Sequence, residues 1–258
     1  MARRPQRFAL YPQIQLLRPP GVSASLPAPT APTHFEFGPL SWAERYRAAI
    51  LREFAPVLHG RVVEEGAGVG HFTAQLARLP QIQELVAVEP NPQFGAQFRQ
   101  RHPHLRLVEG TLESVPAQPP WDAVVSVNVL EHIADDQAQL ARYRQLLVPQ
   151  QGHLCLFVPA RPELYAPLDR DFGHYRRYGR PELQHKLQQA GFSLVRLHYF
   201  NCVGYFIWAV NFRWLKRRHF NPTLVRLFDR LLFPAAYRLE RLVRPPFGQS
   251  LIAIARAV

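Results

Sequence analysis

A β-forming run at 61–65 leads without interruption into EEGAGVGHF, which sets Glu64 ahead of three glycines, Gly66, Gly68 and Gly70, at alternate positions. Glycines so spaced permit a tight strand-to-helix turn and leave bare backbone against which a ligand can lie, while the amides opening the next helix point outward. A chain built on that turn is expected to alternate strand and helix. The rest of the sequence does so: β-rich runs at 61–65, 85–89, 105–108, 123–127, 153–158, 194–200 and 251–255 are separated, over the first five, by helical patterns near 71–79, 92–101 and 135–147. Crossover helices of that length build a mostly parallel sheet covered on both faces. The expected class is α/β, with a Rossmann-like sheet.

Domain limits follow from composition. Residues 1–40 hold Pro19, Pro20, Pro27, Pro29, Pro32 and Pro39 among small residues and read as an extended, basic arm. A core is expected over 41–200, opened by a helix whose N-cap would be Ser41, with Glu44 three residues on. Residues 201–247, with aromatic and basic residues at helical spacing, read as a helical cap inserted before a final sheet strand at 248–258. Of the net charge of +12, residues 1–18 carry +4 and residues 196–258 carry +9, so the intervening chain is balanced and the excess sits at the two ends. With Lys186 and Lys216 the sole lysines, that excess is arginine. Such ends suit an anionic acceptor or a peripheral membrane surface. Two cysteines, Cys155 and Cys202, cannot form a disulfide framework, and the chain lacks an uninterrupted apolar span, so a cytoplasmic location is expected.

Glu89 closes the second β-rich run 19 residues after Gly70, where an acid accepts hydrogen bonds from a ribose diol. A dinucleotide fingerprint would need glycine at the position of His71, and Glu64 is placed to meet an ammonium group. A nucleoside bearing an amino-acid tail fits both ends, and S-adenosylmethionine is such a molecule.

At these residues the sequence resembles the class I S-adenosylmethionine-dependent methyltransferases. The matching stretches run from Trp42 to the C-terminus: RYRAAILREFAPVLHGRVVEEGAGVGHFT, VAVEPNP, LVEGTLESVP, WDAVVSVNVLEHIADD, GHLCLFVPA, LDRDFGHYRRYG and PPFGQSLIAIA. The last two resemble a subgroup found beside or fused to family 2 glycosyltransferase-like proteins. The resemblance implies a seven-stranded sheet with its last strand antiparallel, and S-adenosyl-L-methionine as cofactor with S-adenosyl-L-homocysteine as product. It further implies that Glu64 and the backbone of Gly66, Ala67, Gly68 and Gly70 hold the methionine moiety. Glu89 and Asn91 would serve the ribose, Thr111 and Leu112 the adenine, and Asn128 and Val129 the methionine side. Thr111 stands where many relatives carry aspartate.

Methyl transfer from a sulfonium needs alignment and exclusion of water, with no metal required. A hydroxyl acceptor would gain from a base, for which His132 and His174 are the candidates. Asp169, His174, Tyr175, Arg176, Arg177 and Tyr178 are expected in a substrate lid whose two arginines offer open forks to an anionic acceptor, either a small molecule or a lipid- or glycan-linked one. A nucleic-acid acceptor is disfavoured, since no Pro-Pro-aromatic tetrapeptide follows the fourth strand. A third reading is a methyltransferase fold that binds the cofactor without turnover.

Overall fold

The computed structural model describes residues 37–258. The arm expected over 1–40 therefore lies outside the described residues, except for Phe37–Leu40 (α1), one helical turn. The elements that follow are α2 (Glu44–Phe54), β1 (Gly60–Glu65), α3 (Thr73–Leu76), β2 (Ile82–Glu89), α4 (Pro92–Arg101), β3 (Arg106–Glu109), β4 (Ala123–Val127), α5 (Asp136–Leu147) and β5 (His153–Pro159). After these come α6 (Pro167–Asp171), α7 (Arg180–Gln189), β6 (Phe192–Phe200), α8 (Cys202–Trp208), α9 (Pro222–Leu227), α10 (Phe233–Val243) and β7 (Ser250–Ala257).

The seven strands form one sheet in the order β3-β2-β1-β4-β5-β7-β6. Val63 lies between Val86 of β2 and Val124 of β4 in parallel register, and Cys155 faces Ile254 across the antiparallel β5/β7 pair. β7 is also antiparallel to β6. The expected seven-stranded, mostly parallel sheet with its last strand antiparallel is what the chain forms. All parallel strands of the first half end at one edge, where β1, β2 and β4 deliver Glu65, Glu89 and Val127.

The two faces hold separate cores, because side chains alternate along each strand. On one face Val63, Val86, Val124, Leu154 and Leu156 are covered by Leu140, Tyr143 and Leu147 of α5 and by Leu183 and Leu187 of α7. On the other, Val62, Val125, Phe157, Ile252 and Ile254 are covered by Ile50 and Phe54 of α2, Leu76 of α3, and Phe233 and Tyr237 of α10. Part of the segment between β6 and β7 is thus sheet cover. The remainder, α8 and its continuation to Trp214, sets Trp208 and Phe212 against Leu164, Leu168 and Phe172 after β5.

Ser41 does not cap α2 as expected. Its hydroxyl donates to the Gly38 carbonyl inside the preceding turn, at 2.6 Å. The cap comes from far along the chain: the buried Asp229 carboxylate accepts the Arg45 and Tyr46 amides at 3.0 and 2.8 Å. Glu240 does the same for α8, accepting from the Asn201 and Cys202 amides at 2.8 and 2.7 Å. A local pattern cannot reveal a cap supplied by tertiary structure.

Candidate active site

The glycine turn is shaped by conformations and clearances that side chains would violate. Gly66, Gly68 and Gly70 have φ of +67°, +56° and +86°. A Cβ on Gly66 would stand 2.3 Å from Val129 Cγ2, and one on Gly70 would stand 2.4 Å from His102 Cδ2. The segment just past β4 therefore packs directly against the first glycine.

Two carboxylates approach this turn from neighbouring strands. Glu89 accepts the Gly68 amide at 2.7 Å and the Asn91 amide at 2.8 Å. Burial raises its pKa, and those two amides temper the shift. Glu64 is 2% exposed, and its Oε2 has no hydrogen-bond partner. Burial pushes its pKa up to about 7, with the neighbouring Thr73 hydroxyl opposing and Glu89 reinforcing the rise. Thr73 Oγ1 is itself buried without a well-formed bond. An orphaned acid beside a turn of bare backbone fits the ammonium of an amino-acid tail.

Glu65 points to the opposite face, as strand alternation requires. It accepts from Gln139 Nε2 at 2.6 Å and from Ser126 Oγ at 3.3 Å, and also from the Tyr143 hydroxyl. Burial raises its pKa to about 7 as well, opposed by these hydroxyls. This network fixes β1 to β4 and α5 beneath the turn.

Asn91 caps α4, accepting from the Gln93 and Phe94 amides at 2.9 and 3.3 Å. Thr111 is exposed and donates to Glu113, while Leu112 is fully buried. Asn128 is exposed just past β4 with φ +55°, its amide donating to the Phe157 carbonyl at 2.8 Å.

Beyond β4, the turn Leu130–His132 brings Glu131 and His132 against the segment after β5. The His132 and His174 rings are 4.6 Å apart and nearly perpendicular. Asp169 Oδ1 lies 3.0 Å from His174 Nδ1, which leaves Nε2 turned toward Glu131 Oε1 at 4.0 Å. Burial lowers both histidine pKa values, that of His132 to about 3. Asp169 is itself fully buried, its Oδ2 accepting the Ala166 amide at 2.8 Å.

The two arginines are not open forks, which corrects that expectation. Arg177 is buried: its Nε and Nη2 both reach Asp169 at 2.9 Å, its Nη1 donates to the Ala160 carbonyl, and its guanidinium lies 4.3 Å from the Trp208 ring centroid. Arg176 pairs with Asp136 at 2.8 Å and donates to the Ala134 carbonyl at 2.6 Å. Tyr178 is buried too, donating to Asp136 at 3.0 Å, and Lys186 completes that cluster at 2.8 Å. Tyr175 remains exposed. The acids that claim these arginines, Asp136 and Asp169, are elements of a buried support, so the segment 169–178 is braced against α5 and α8 rather than loose.

Residues 40–197 match the family described as "Methyltransferase domain". The chain belongs to that family. A curated relative, an uncharacterized methyltransferase of Alkaliphilus oremlandii (strain OhILAs), is 24% identical over 98 residues, 38% of this chain and 44% of the relative, so the match spans less than half that protein's length. Among solved structures, an S-adenosylmethionine-dependent methyltransferase from Mesorhizobium loti superposes with a TM-score of 0.56 at 18% identity, covering 84% of this chain and 99% of that one. Another from Archaeoglobus fulgidus gives 0.54 at 19% identity, covering 83% and 94%. At such identities these likenesses establish the shared fold.

Within this methyltransferase domain, sequence reasoning singled out Glu64, Glu89 and the three glycines, which the structure gathers at one turn, and His132 and His174, whose rings it sets side by side. It missed Glu65 with Tyr143, Ser126 and Gln139, and it missed Glu131. The doublet Glu64-Glu65 was a usable signal, because adjacent strand residues face opposite ways and two buried acids need two separate environments.

Proposed function

We propose that the protein is an S-adenosylmethionine-dependent methyltransferase acting on an oxygen of an anionic acceptor carried on a lipid or glycan. Glu64 carries this reading: a buried acid with an unpartnered oxygen at the foot of a glycine turn needs a cationic ligand group. The backbone of Gly66, Ala67, Gly68 and Gly70 holds the amino-acid end. Glu89 keeps lone pairs for a ribose diol beyond those used by Gly68 and Asn91. Thr111 and Leu112 border the base, and Asn128 and Val129 border the sulfur side. S-adenosylmethionine, when bound, supplies an electrophilic methyl group.

On the acceptor side, His132 and His174 meet the reacting oxygen. Asp169 sets the His174 ring through Nδ1, so that Nε2 presents its lone pair inward. Tyr175 and the outer part of Arg176 form the rim, with Arg177 and Tyr178 holding the segment in place.

The lipid side of the proposal draws on α8 to α10. Phe206, Trp214, Leu215, Leu224, Leu227, Leu231, Leu239, Leu242 and Val243 are each more than half exposed. Nine cationic residues lie among them over 201–247, against two acids, Asp229 and Glu240, which are both buried as helix caps. An apolar, cation-rich surface without exposed acids suits an anionic membrane and repels a second copy of itself. No helix among the described residues is long and apolar enough to cross a membrane.

Calorimetric titration with S-adenosylhomocysteine tests the cofactor half. Saturable binding that Glu64→Ala weakens at least tenfold is expected; absence of heat with wild-type protein would overturn it. Incubating the protein with methyl-labelled cofactor and total lipid and glycan extracts, followed by mass spectrometry of labelled products, tests the acceptor half. Absence of label from every lipid- and glycan-linked product would refute it.

A further inference from the structure

We propose that Glu131, His132 and His174 form a binding site for a divalent transition-metal cation where the turn after β4 meets the segment after β5. One ligand atom from each of the three lies within 4.8 Å of the other two. Donor atoms around a common ion stand about 3 to 4 Å apart at metal–ligand distances near 2.1 Å, so the widest pair must close by about 1 to 2 Å. The residues come from two segments that the fold holds against each other: the turn after β4 and the braced loop after β5, where the Tyr175 amide donates to the Glu131 carbonyl at 2.8 Å.

The surroundings are those a ligand histidine needs. A metal-binding imidazole offers one nitrogen to the ion and donates through the other to a carboxylate or carbonyl, which fixes the tautomer. His174 does this through Asp169, and Asp169 is in turn fixed by Arg177 and the Ala166 amide. His132 has the Phe172 carbonyl beside it as a corresponding acceptor. Glu131 is fully buried, and its carboxylate lies beside both imidazoles. Two imidazoles and one carboxylate favour zinc, iron or manganese over calcium or magnesium.

Three protein ligands leave coordination positions for a ligand oxygen. Glu131 lies two residues past Val129, which contacts the glycine turn, so an ion here would hold the acceptor oxygen near the cofactor's sulfur side. That role, unlike the binding itself, rests on the methyl-transfer reading. The histidines would then act on the acceptor through the ion.

Untagged protein stripped with a chelator and titrated calorimetrically with Zn²⁺ and Mn²⁺ tests the site. One ion per chain is expected, bound at least tenfold more weakly by His132→Ala and by His174→Ala, with circular dichroism confirming that the variants fold. A Co²⁺ absorption spectrum of the wild type gives an answer that needs no variant: visible bands from nitrogen and oxygen ligation are expected. Failure of the stripped wild type to bind any of these ions overturns the proposal, as does binding that His174→Ala leaves unchanged. Titrating the same metal-free sample with S-adenosylhomocysteine separates the two readings, since cofactor binding without metal binding refutes the site alone.

Discussion

Glu89 and Gly68 are joined by a 2.7 Å hydrogen bond from the glycine amide to the carboxylate, so the end of β2 shapes the turn that follows β1. The same carboxylate fixes the start of α4 through the Asn91 amide. One side chain thus ties the end of β2 and the start of α4 to the glycine turn. Replacing Glu89 with alanine removes a charge-assisted acceptor worth about 1.5 to 3 kcal/mol and leaves two amides to find other partners. Affinity for S-adenosylhomocysteine is expected to fall about 10- to 100-fold by calorimetry. A loss below about threefold would mean that Glu89 shapes the turn without touching ligand.

Glu64 is expected to make cofactor affinity and stability depend on pH in opposite directions. Its pKa in the folded protein, about 7, lies above the usual 4.5. A raised carboxyl pKa contributes stability that is complete below 4.5 and lost as pH rises through 7. The free protein should therefore melt at lower temperature at pH 8 than at pH 5, this group contributing a stability difference of about 2.5 kcal/mol. Glu65, raised to about 7 as well, adds to the same trend. Affinity for the amino-acid tail should rise over that interval, because ionised Glu64 attracts an ammonium group. Glu64→Gln should flatten the affinity profile and, with Glu65 still titrating, only part of the stability profile. Calorimetry and thermal melts from pH 5 to 8 check both.

Gly66 cannot become alanine without cost. Its φ of +67° strains any L side chain, and the added Cβ meets Val129 Cγ2 at 2.3 Å. About 1 to 3 kcal/mol of destabilisation is expected, with cofactor affinity reduced at least tenfold as β4 is pushed from the turn. Adding Val129→Ala should return part of the stability by removing the clash while leaving the backbone strain. Full recovery in the double variant would show that the clash alone mattered.

The sheet was legible because its signals are local. Strand runs, the glycine turn and Glu89 lie in short windows, and the seven expected strands all appear, β4 at its expected bounds and the others with ends moved by one to three residues. What sequence could not give are relationships across the chain. Ser41 looked like a cap, but the acceptor for the α2 amides is Asp229, more than 180 residues away. Arg176 and Arg177 looked like ligands for an anion, yet the fold supplies anions of its own in Asp136 and Asp169. The motif names residue types, and their partners decide whether those types are offered to solvent or used for support.

Asp229 offers a direct measure of that long-range capping. Replacing a buried capping acid with alanine costs about 0.5 to 2 kcal/mol. In a chain of this size that corresponds to a drop of about 2 to 6 °C in Tm. Asp229→Asn keeps an acceptor oxygen and should recover more than half of the loss. Equal losses in the two variants would mean that charge, rather than hydrogen bonding to Arg45 and Tyr46, holds α10 and its neighbours on α2.

The surface of α10 separates membrane docking from simple sheet cover, because its two faces are distinct. Phe233 and Tyr237 face the sheet, where the Tyr237 hydroxyl donates to Glu53 at 2.6 Å, while Leu239, Leu242 and Val243 are 61%, 83% and 68% exposed. Leu239→Asp with Leu242→Asp should leave Tm within about 1 °C, since neither side chain supports the core. If the outer face meets lipid, wild-type protein should sediment with vesicles of phosphatidylcholine and phosphatidylglycerol but poorly with phosphatidylcholine alone. High salt should weaken that binding by screening the arginines. The double variant should lose at least tenfold in vesicle affinity while binding S-adenosylhomocysteine as before. Equal sedimentation of variant and wild type would move the contact elsewhere, and a concentration-dependent dimer abolished by the variant would assign this face to a second copy of the chain.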